Sequence, residues 1–245
     1  MCSNYVPVTR MDRLLGFFGV QRPRDEVPED VYPSGLAPFI RLVPGEADGE
    51  PALRVVDDAI FRFVPDFVAR VDWARKTYNA RSETVATRSS YKDAWAAGQR
   101  CIIPAEAFYE PNYETGAAVR WAIFQPGSVP MGIAGIYRRW THPDDGREMF
   151  AMAMLTVNAD GHPFMRRFHK PGEEKRMVVI LDPDNYAEWL ACPVSEASRF
   201  LREWHGPLEG LPSPPPPRAP RVAPRPPKPP PTPRGDGGTG DLFGA

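Results

Sequence analysis

The sequence contains few cysteines and no long apolar segment. Only three of its 245 residues are cysteine, and the spacing of Cys2, Cys101 and Cys192 matches neither a metal-ligand motif nor a disulfide framework. The cysteines therefore indicate no metal site, and we expect a reducing compartment in which Cys2 stays a free thiol. No run approaches the ~18 apolar residues of a membrane span, and the N-terminus lacks the apolar stretch of a secretion signal. These absences predict a cytoplasmic protein with no membrane partner.

The sequence also lacks an excess of charge of either sign. Its 30 basic and 31 acidic side chains leave a formal net charge of −1, so any surface that binds nucleic acid has to be a local patch. Proline, by contrast, is abundant: there are 31 prolines, 13 of them after Leu211. This composition predicts one domain with a sizeable core over 2–210, followed by a disordered, basic, proline-rich tail over 211–245.

Patterns of apolar residues predict helices near both ends of this domain and strands between them. The predicted helices are 9–20 with Thr9 as N-cap, 89–99 with Ser90 as N-cap, 185–191 and 195–204. The predicted strands are 31–43, 53–64, 100–110, 119–125, 131–140, 148–158 and the uniformly apolar 176–181. Because the helices are grouped at the ends and do not alternate with strands, the pattern favours the α+β class.

Cys2 is the residue whose position suggests the most distinctive chemistry. A second residue as small as cysteine permits removal of Met1, which leaves a free amine and a thiol on one residue. Ordinary pKa values of about 8 for the amine and about 8.5 for the thiol keep both partly deprotonated near neutral pH. The amine can then form an imine with an aldehyde, and the thiol can close a five-membered thiazolidine ring. By position alone, however, an incidental cysteine is the more common outcome.

Two further segments carry residues suited to catalysis or to binding DNA. The polar stretch 77–84 is typical of a loop, in which Asn79 can hydrogen-bond a reacting carbonyl or imine and Arg81 can hold a phosphate. The strand 100–110 ends in Glu110, a candidate acid or base, with Glu106 as the competing carboxylate. Each of these residues is also compatible with an ordinary solvent-facing role.

A third segment of this kind surrounds His169. The histidine precedes a charged loop and a buried strand, and imidazole is the natural proton carrier at neutral pH. Arg176 or Lys175, at the end of that loop, could face phosphate. A structural or merely exposed histidine is the usual alternative.

Together, four motifs resemble the SRAP family (SOS response-associated peptidase), the abasic-site processing proteins. They are MCSNY at the N-terminus, NARSET, IIPAEAFYE and FHKPGEEKRMVVIL, and they occur in the order of the family. The resemblance extends from Cys2 to Trp204. It implies a single compact α+β domain with a barrel-like mixed or antiparallel sheet flanked by helices.

The resemblance also implies a reaction and assigns residues to it. Members of the family act in the response to DNA damage, crosslinking their N-terminal cysteine to abasic sites in single-stranded DNA without a cofactor. They are further associated with lyase activity and with a peptidase activity that removes Met1. The matching catalytic residues are Cys2, Asn79, Glu110 and His169. The matching DNA-binding residues are Arg81, Arg176, Phe67 as a base-stacking aromatic, and Asn4, which stands where many members have a phosphate-binding arginine.

Two other functions remain open on the sequence. One is a module that binds single-stranded nucleic acid without covalent chemistry, and the other is an amidohydrolase of the kind that uses an N-terminal cysteine. For the leading function we expect a monomer whose partner is single-stranded DNA with abasic sites. The terminal Asp241-Leu242-Phe243 loosely resembles a peptide that docks on bacterial sliding clamps, which makes the clamp a further candidate partner.

Overall fold

The strands and helices follow the predicted order, with strands in the middle of the chain. The structure is a computed structural model and describes residues 2–22, 30–45, 50–65, 76–142 and 145–215. The strands are β1 Tyr5–Pro7, β2 Leu36–Val43, β3 Leu53–Phe61, β4 Asn79–Arg81, β5 Arg100–Asn112, β6 Val119–Phe124, β7 Met131–Thr141, β8 Glu148–Asn158, β9 Arg176–Val178, β10 Ile180–Leu181 and β11 Glu209–Pro212. The α-helices are α1 Met11–Phe18, α2 Lys92–Ala96, α3 Tyr186–Ala191 and α4 Val194–Ala197.

Five of these strands close into a barrel. β5 pairs with β7 on one edge and with β2 on the other, and the ring is completed through β8 and β3. Most pairs are antiparallel, whereas β3–β8 and β4–β8 are parallel, so the sheet is mixed. The other strands extend this sheet: β1 and β6 on β5, β11 on β6, β4 and β9 on β8, and β10 on β7. The prediction of an α+β domain with a barrel-like sheet flanked by helices is confirmed.

The strands of the barrel are packed closely enough that one glycine is required. A Cβ at Gly135 on β7 would lie 2.9 Å from the Cys101 Sγ and 3.0 Å from the Ala153 carbonyl oxygen. Real Cβ atoms do not approach neighbours so closely, so any larger residue would push apart two strands of the ring. The interior is apolar, and the residues of β5 and β8 are buried over most of their length.

The helix α1 lies against the outside of the barrel and is shorter than predicted. It buries Leu14 and Phe18, and Gly19 ends it in the left-handed conformation (φ 66°), which costs glycine little. The predicted cap Thr9 was wrong, because the N-cap is Arg10 and the described residues provide no side-chain cap there. Arg10 instead pairs with Asp12 in the first turn.

The other helices are also shorter than the apolar pattern indicated. The predicted helix 89–99 is reduced to α2, with Tyr91 and not Ser90 at its N-cap position. The predicted helix 195–204 is α4 followed by a 3-10 turn over Ser198–Phe200. Short amphipathic segments acquire their ends from tertiary packing, which the periodicity does not encode.

The predicted strand 176–181 divides in two because strands β7 and β8 diverge at this point. β9 pairs with β8, β10 pairs with β7, and Val179 joins them by donating to the Leu155 carbonyl and accepting from the Ala134 N–H. The predicted loop 77–84 was wrong at its centre, because β4 adds three residues to β8.

The sheet also extends past the predicted start of the tail. β11 includes Leu211 and Pro212, and the Ser213 N–H donates to the Arg120 carbonyl. The free edge of β6 provides these partners, which moves the end of the compact unit to Pro214. The clamp-like segment 241–243 lies outside the described residues. Within the described part of the chain, no helix is both long and apolar enough to cross a membrane.

Candidate active site around Cys2

Cys2 lies beside the end of β5 because β1 pairs antiparallel with that strand. Tyr5 is opposite Phe108, and the Tyr109 N–H donates to the Asn4 carbonyl at 3.1 Å. Residues before Tyr5 therefore run alongside residues after Phe108, which brings Cys2 toward Glu110. The Cys2 side chain is fully buried, and its Sγ donates to the Asn4 carbonyl at 3.2 Å.

The surroundings of Cys2 keep its thiol protonated. Burial, and secondly the negative charge of Glu110, raise the pKa of this thiol to about 12. Hydrogen bonds from the backbone act in the opposite direction without offsetting these two effects. While Met1 is present, the Cys2 thiol is therefore protonated at neutral pH.

Asn79 connects Cys2 to the neighbouring strand. β4 pairs with β8 and directs the Asn79 side chain inward, where its Nδ2 donates to the Cys2 carbonyl at 2.7 Å. The Asn79 carbonyl accepts from the Tyr91 hydroxyl at 3.0 Å, which fixes the backbone of β4. The buried Asn79 Oδ1 has no hydrogen-bond partner among the described residues, so one acceptor remains for a substrate group.

Glu110 and His169 form the ionisable pair of the site. The His169 Nε2 lies 3.0 Å from the Glu110 Oε2, and the two side chains are 8% and 0% exposed. The His169 N–H donates to the Pro111 carbonyl at 2.8 Å, which places the histidine next to the end of β5. His169 adopts a left-handed backbone (φ 63°), which is uncommon for a residue other than glycine. Such a buried carboxylate–imidazole pair can accept and return protons.

The structure separates the two glutamates that compete in the sequence. Glu106 accepts two hydrogen bonds from the Arg13 guanidinium, at 2.6 and 2.5 Å, and so attaches α1 to the barrel. Glu110 instead lies inside, near Cys2 and His169. Glu106 therefore has a structural partner, whereas Glu110 belongs to the site.

Among the predicted DNA-binding residues, Arg81 faces solvent and Arg176 does not. Arg81 is 49% exposed and pairs with Glu174 at 2.9 Å. Arg176 is 2% exposed, and its guanidinium binds Glu83, Glu174 and the Thr156 carbonyl. A direct phosphate contact is thus not the role that this geometry supports for Arg176, because two carboxylates already neutralise it.

Of the remaining two predicted DNA-binding residues, the structure describes only Asn4, and it does not expose that side chain to DNA. Asn4 is buried and its Nδ2 donates to Asp30 at 3.3 Å, so its side chain holds the start of the chain in place. Phe67 lies outside the described residues.

A cavity that sequence reasoning missed is lined in part by Asn79. Its volume is about 300 Å³. Its lining consists of Lys76, Thr77, Asn79, Arg81, Thr84, Arg88, Ser90 and Tyr91. This described lining contains three cations, several hydroxyls and no carboxylate, although the whole chain has a net charge of −1. The sequence does place three cations, Lys76, Arg81 and Arg88, around the motif NARSET. Their spacing indicates a shared cavity only once the strand β4 is known.

Comparison with known proteins identifies the family of this chain. The sequence profile of the family described as SOS response associated peptidase (SRAP) matches residues 1–211. The chain belongs to the SRAP family. The abasic site processing protein YoaM of Bacillus subtilis (strain 168) is 32% identical over 201 residues, which cover 78% of this chain and 79% of that protein.

Two other proteins place this SRAP chain among its relatives. The abasic site processing protein HMCES of Gallus gallus is 28% identical over 183 residues, covering 64% of this chain and 52% of that protein, so the chain matches about half of its length. A crystal structure of a protein from Bordetella bronchiseptica superposes with a TM-score of 0.77 at 34% identity, covering 86% of this chain and 99% of that one.

Proposed function

We propose that this SRAP protein crosslinks covalently to abasic sites in single-stranded DNA through the amine and thiol of Cys2. The observation that carries the proposal is the meeting of Cys2, Asn79, Glu110 and His169, which are far apart in the sequence. Asn79 binds the Cys2 backbone, and Glu110 both pairs with His169 and acts on the Cys2 thiol. The names of the relatives support the choice of an abasic site as substrate.

The first step is the opening of the abasic sugar, because its ring-closed form has no aldehyde. One proton has to leave the hydroxyl on C1′ and another has to reach the ring oxygen. Glu110 and His169 can perform both transfers, since their side chains are 3.0 Å apart and exchange a proton without moving.

The second step is attack of the Cys2 amine on the aldehyde carbon. Removal of Met1 frees this amine, and loss of one water from the resulting carbinolamine gives the imine. The Asn79 Oδ1, which has no partner among the described residues, can accept a hydrogen bond from the opened sugar or from the nitrogen. Its Nδ2 already holds the Cys2 carbonyl, so the nucleophile and the acceptor group are positioned by one side chain.

The third step is addition of the thiol across the imine bond. The sulfur forms a bond to C1′, and its proton is transferred to the nitrogen, which closes the thiazolidine. Burial and the negative charge of Glu110 raise the pKa of the thiol, which disfavours a thiolate as the first nucleophile. The amine is therefore expected to form the imine first, and the thiol to close the ring afterwards.

The imine also accounts for a lyase side reaction. It acidifies the hydrogens on C2′, and loss of one of them expels the 3′ phosphate and cleaves the strand. Ring closure by the thiol removes the imine, so thiazolidine formation competes with cleavage. We also propose that the same residues hydrolyse the peptide bond between Met1 and Cys2. This reaction would be the peptidase activity associated with the family.

The cation-lined cavity gives the DNA backbone a path to this site. Arg81, Lys76 and Arg88 line one space that is bounded by Asn79, so a phosphate next to the abasic sugar can enter it. Neutralising a phosphate here costs little because the described lining carries no carboxylate, although Glu174 partly compensates Arg81. Binding of intact single strands at this cavity should weaken as salt is raised.

The test is a crosslinking assay with a single-stranded oligonucleotide containing one abasic site. The wild-type protein should give a heat-stable adduct on a denaturing gel, and Cys2→Ala should give none. Inserting one alanine between Met1 and Cys2 should also abolish the adduct, because the amine of Cys2 is then in a peptide bond. Strand cleavage on the same gel reports the lyase reaction.

Cys192→Ala is the matched control, because it removes a more exposed cysteine far along the chain. It should retain the adduct. If protein with a confirmed N-terminal Cys2 gives no adduct, and binds intact and abasic strands equally, the chain is a non-covalent binding module and the proposal fails.

A further inference from the structure

The backbone conformation of His169 has to be maintained by its surroundings. A left-handed residue other than glycine costs on the order of 1 kcal/mol or more and persists only where neighbouring contacts enforce it. His169 has φ 63°, and its Nε2 is directed at Glu110 from this conformation. Relaxing the backbone to an ordinary conformation would turn the imidazole away from the carboxylate.

The chain before His169 is attached to the end of β5. The Asn112 Nδ2 donates to the Arg167 carbonyl at 3.3 Å, and Phe168 forms an isolated bridge with Asn112. The His169 N–H then donates to the Pro111 carbonyl at 2.8 Å. These contacts fix the peptide that enters His169 but leave the peptide that follows it undetermined.

The peptide that follows His169 is held by Lys175. The Lys175 Nζ donates to the His169 carbonyl at 3.1 Å and to the Lys170 carbonyl at 2.9 Å. Lys175 is itself fixed, because its N–H donates to Asp160 at 2.8 Å and its carbonyl accepts from Ala159 at 2.8 Å. The Glu173 N–H also donates to the Lys170 carbonyl, at 3.1 Å, but among the described contacts it is the Lys175 ammonium that ties this turn to the carbonyl of the strained residue.

We propose that Lys175 is a positioning residue that holds His169 in its left-handed conformation and so keeps its imidazole on Glu110. This inference rests on the proposed function for its effect on rate, but its geometric part does not. This role is different from binding a DNA phosphate, because Lys175 donates to two carbonyls of the protein itself. A displacement of about 1 Å at a reacting group can reduce a rate by 10²-fold, so a loosened His169 should be visible in the kinetics.

The test compares Lys175→Met, which keeps most of the side-chain length, with Lys170→Met on the same loop. Lys175→Met should lower the crosslinking rate at saturating abasic DNA on the order of 10-fold or more. The dissociation constant of an intact oligonucleotide and its salt dependence should not change. Lys170→Met removes the same charge but keeps the hydrogen bonds from Lys175 to the two carbonyls. It should leave the crosslinking rate at saturating DNA unchanged. Lys175→Arg, which can donate to both carbonyls, should restore most of the rate.

A second readout needs no DNA and separates this inference from the proposed function. The chain has four histidines, so the imidazole signals of His169 can be assigned by NMR with His169→Gln as reference. Lys175→Met should shift the His169 signals and leave the other three unchanged, whether or not the wild-type protein crosslinks. If these signals stay in place, the inference is overturned. It is also overturned if Lys175→Met weakens DNA binding and lowers the salt slope by about 0.7, the value for one phosphate on a single strand.

Discussion

Two glutamates on β5 have different surroundings and should respond differently to substitution. Glu106→Gln loses the bidentate contact with Arg13, which is partly exposed and worth about 1 kcal/mol after screening by solvent. It should lower the melting temperature slightly and leave the crosslinking rate unchanged. Glu110→Gln removes the proton acceptor beside His169 and should slow crosslinking on the order of 10²-fold. Thermal unfolding and single-turnover crosslinking measure the two effects. If Glu106→Gln slowed crosslinking and Glu110→Gln did not, Glu106 would be the acid–base residue.

The buried thiol of Cys2 predicts a pH dependence of stability. Its pKa in the folded chain is raised to about 12, so above the pKa of the unfolded chain only the unfolded state releases the proton. This contribution to stability is fully present at neutral pH and is lost as the pH rises from about 9 towards 12. Relative to Cys2→Ser, the protein that retains Met1 should lose up to about 1.4 kcal/mol per pH unit in this range. Urea unfolding of both proteins between pH 8 and 11 tests this, and parallel curves would mean that the thiol is solvated.

At the scale of elements, the strands that form the barrel were predictable because their own residues specify them. β8 matches its prediction residue for residue, and β5 begins at the predicted Arg100, since apolar and β-branched residues fill both strands. β4 was predicted as loop because Asn79–Arg81 is polar and three residues long, and only pairing with β8 makes it a strand. The break at Val179 was equally hidden, because a uniformly apolar run does not show where its partner strand changes.

The same reasoning explains which site residues were predictable. Motif resemblance named Cys2, Asn79, Glu110 and His169, and the elements that carry them do bring the four together. It also named Arg176, which the structure buries between Glu83 and Glu174. A motif specifies the residue type, but whether a guanidinium faces DNA or an internal carboxylate depends on partners distant in sequence. The sequence shows Lys175 as a cation at the end of the loop. Its contact with the His169 carbonyl depends on the geometry of the turn, which the sequence does not specify.

At the scale of the whole molecule, the closed barrel is the reason that one site can draw on four distant segments. β1 and the segment before His169 both attach to β5, whose end carries Glu110, and β4 attaches to β8 two strands away around the ring. Closure fixes the distance between β5 and β8, and Asn79 spans it to reach the Cys2 carbonyl. The barrel strands therefore hold three of the four site residues or their partners, whereas His169 depends on the turn that Lys175 closes.

The last strand of the sheet should be required for this site, whereas the residues after it should not. A chain ending at Pro214 keeps every described strand pair and should match the full chain in melting temperature and in crosslinking rate. A chain ending at Leu208 loses β11, which uncovers the edge of β6. β11 also runs beside Phe164, just before the His169 segment, since a Cβ placed on Gly210 would lie 3.1 Å from the Phe164 ring. The four lost residue pairs should cost on the order of 2 kcal/mol or more, and crosslinking should slow as that segment loosens. Thermal unfolding and adduct formation by the two truncated chains provide the measurement. Equal stability of the two truncated chains would show that β11 contributes nothing. If the chain ending at Pro214 reacted more slowly than the full chain at low salt alone, the basic tail would be assigned a role in attracting DNA.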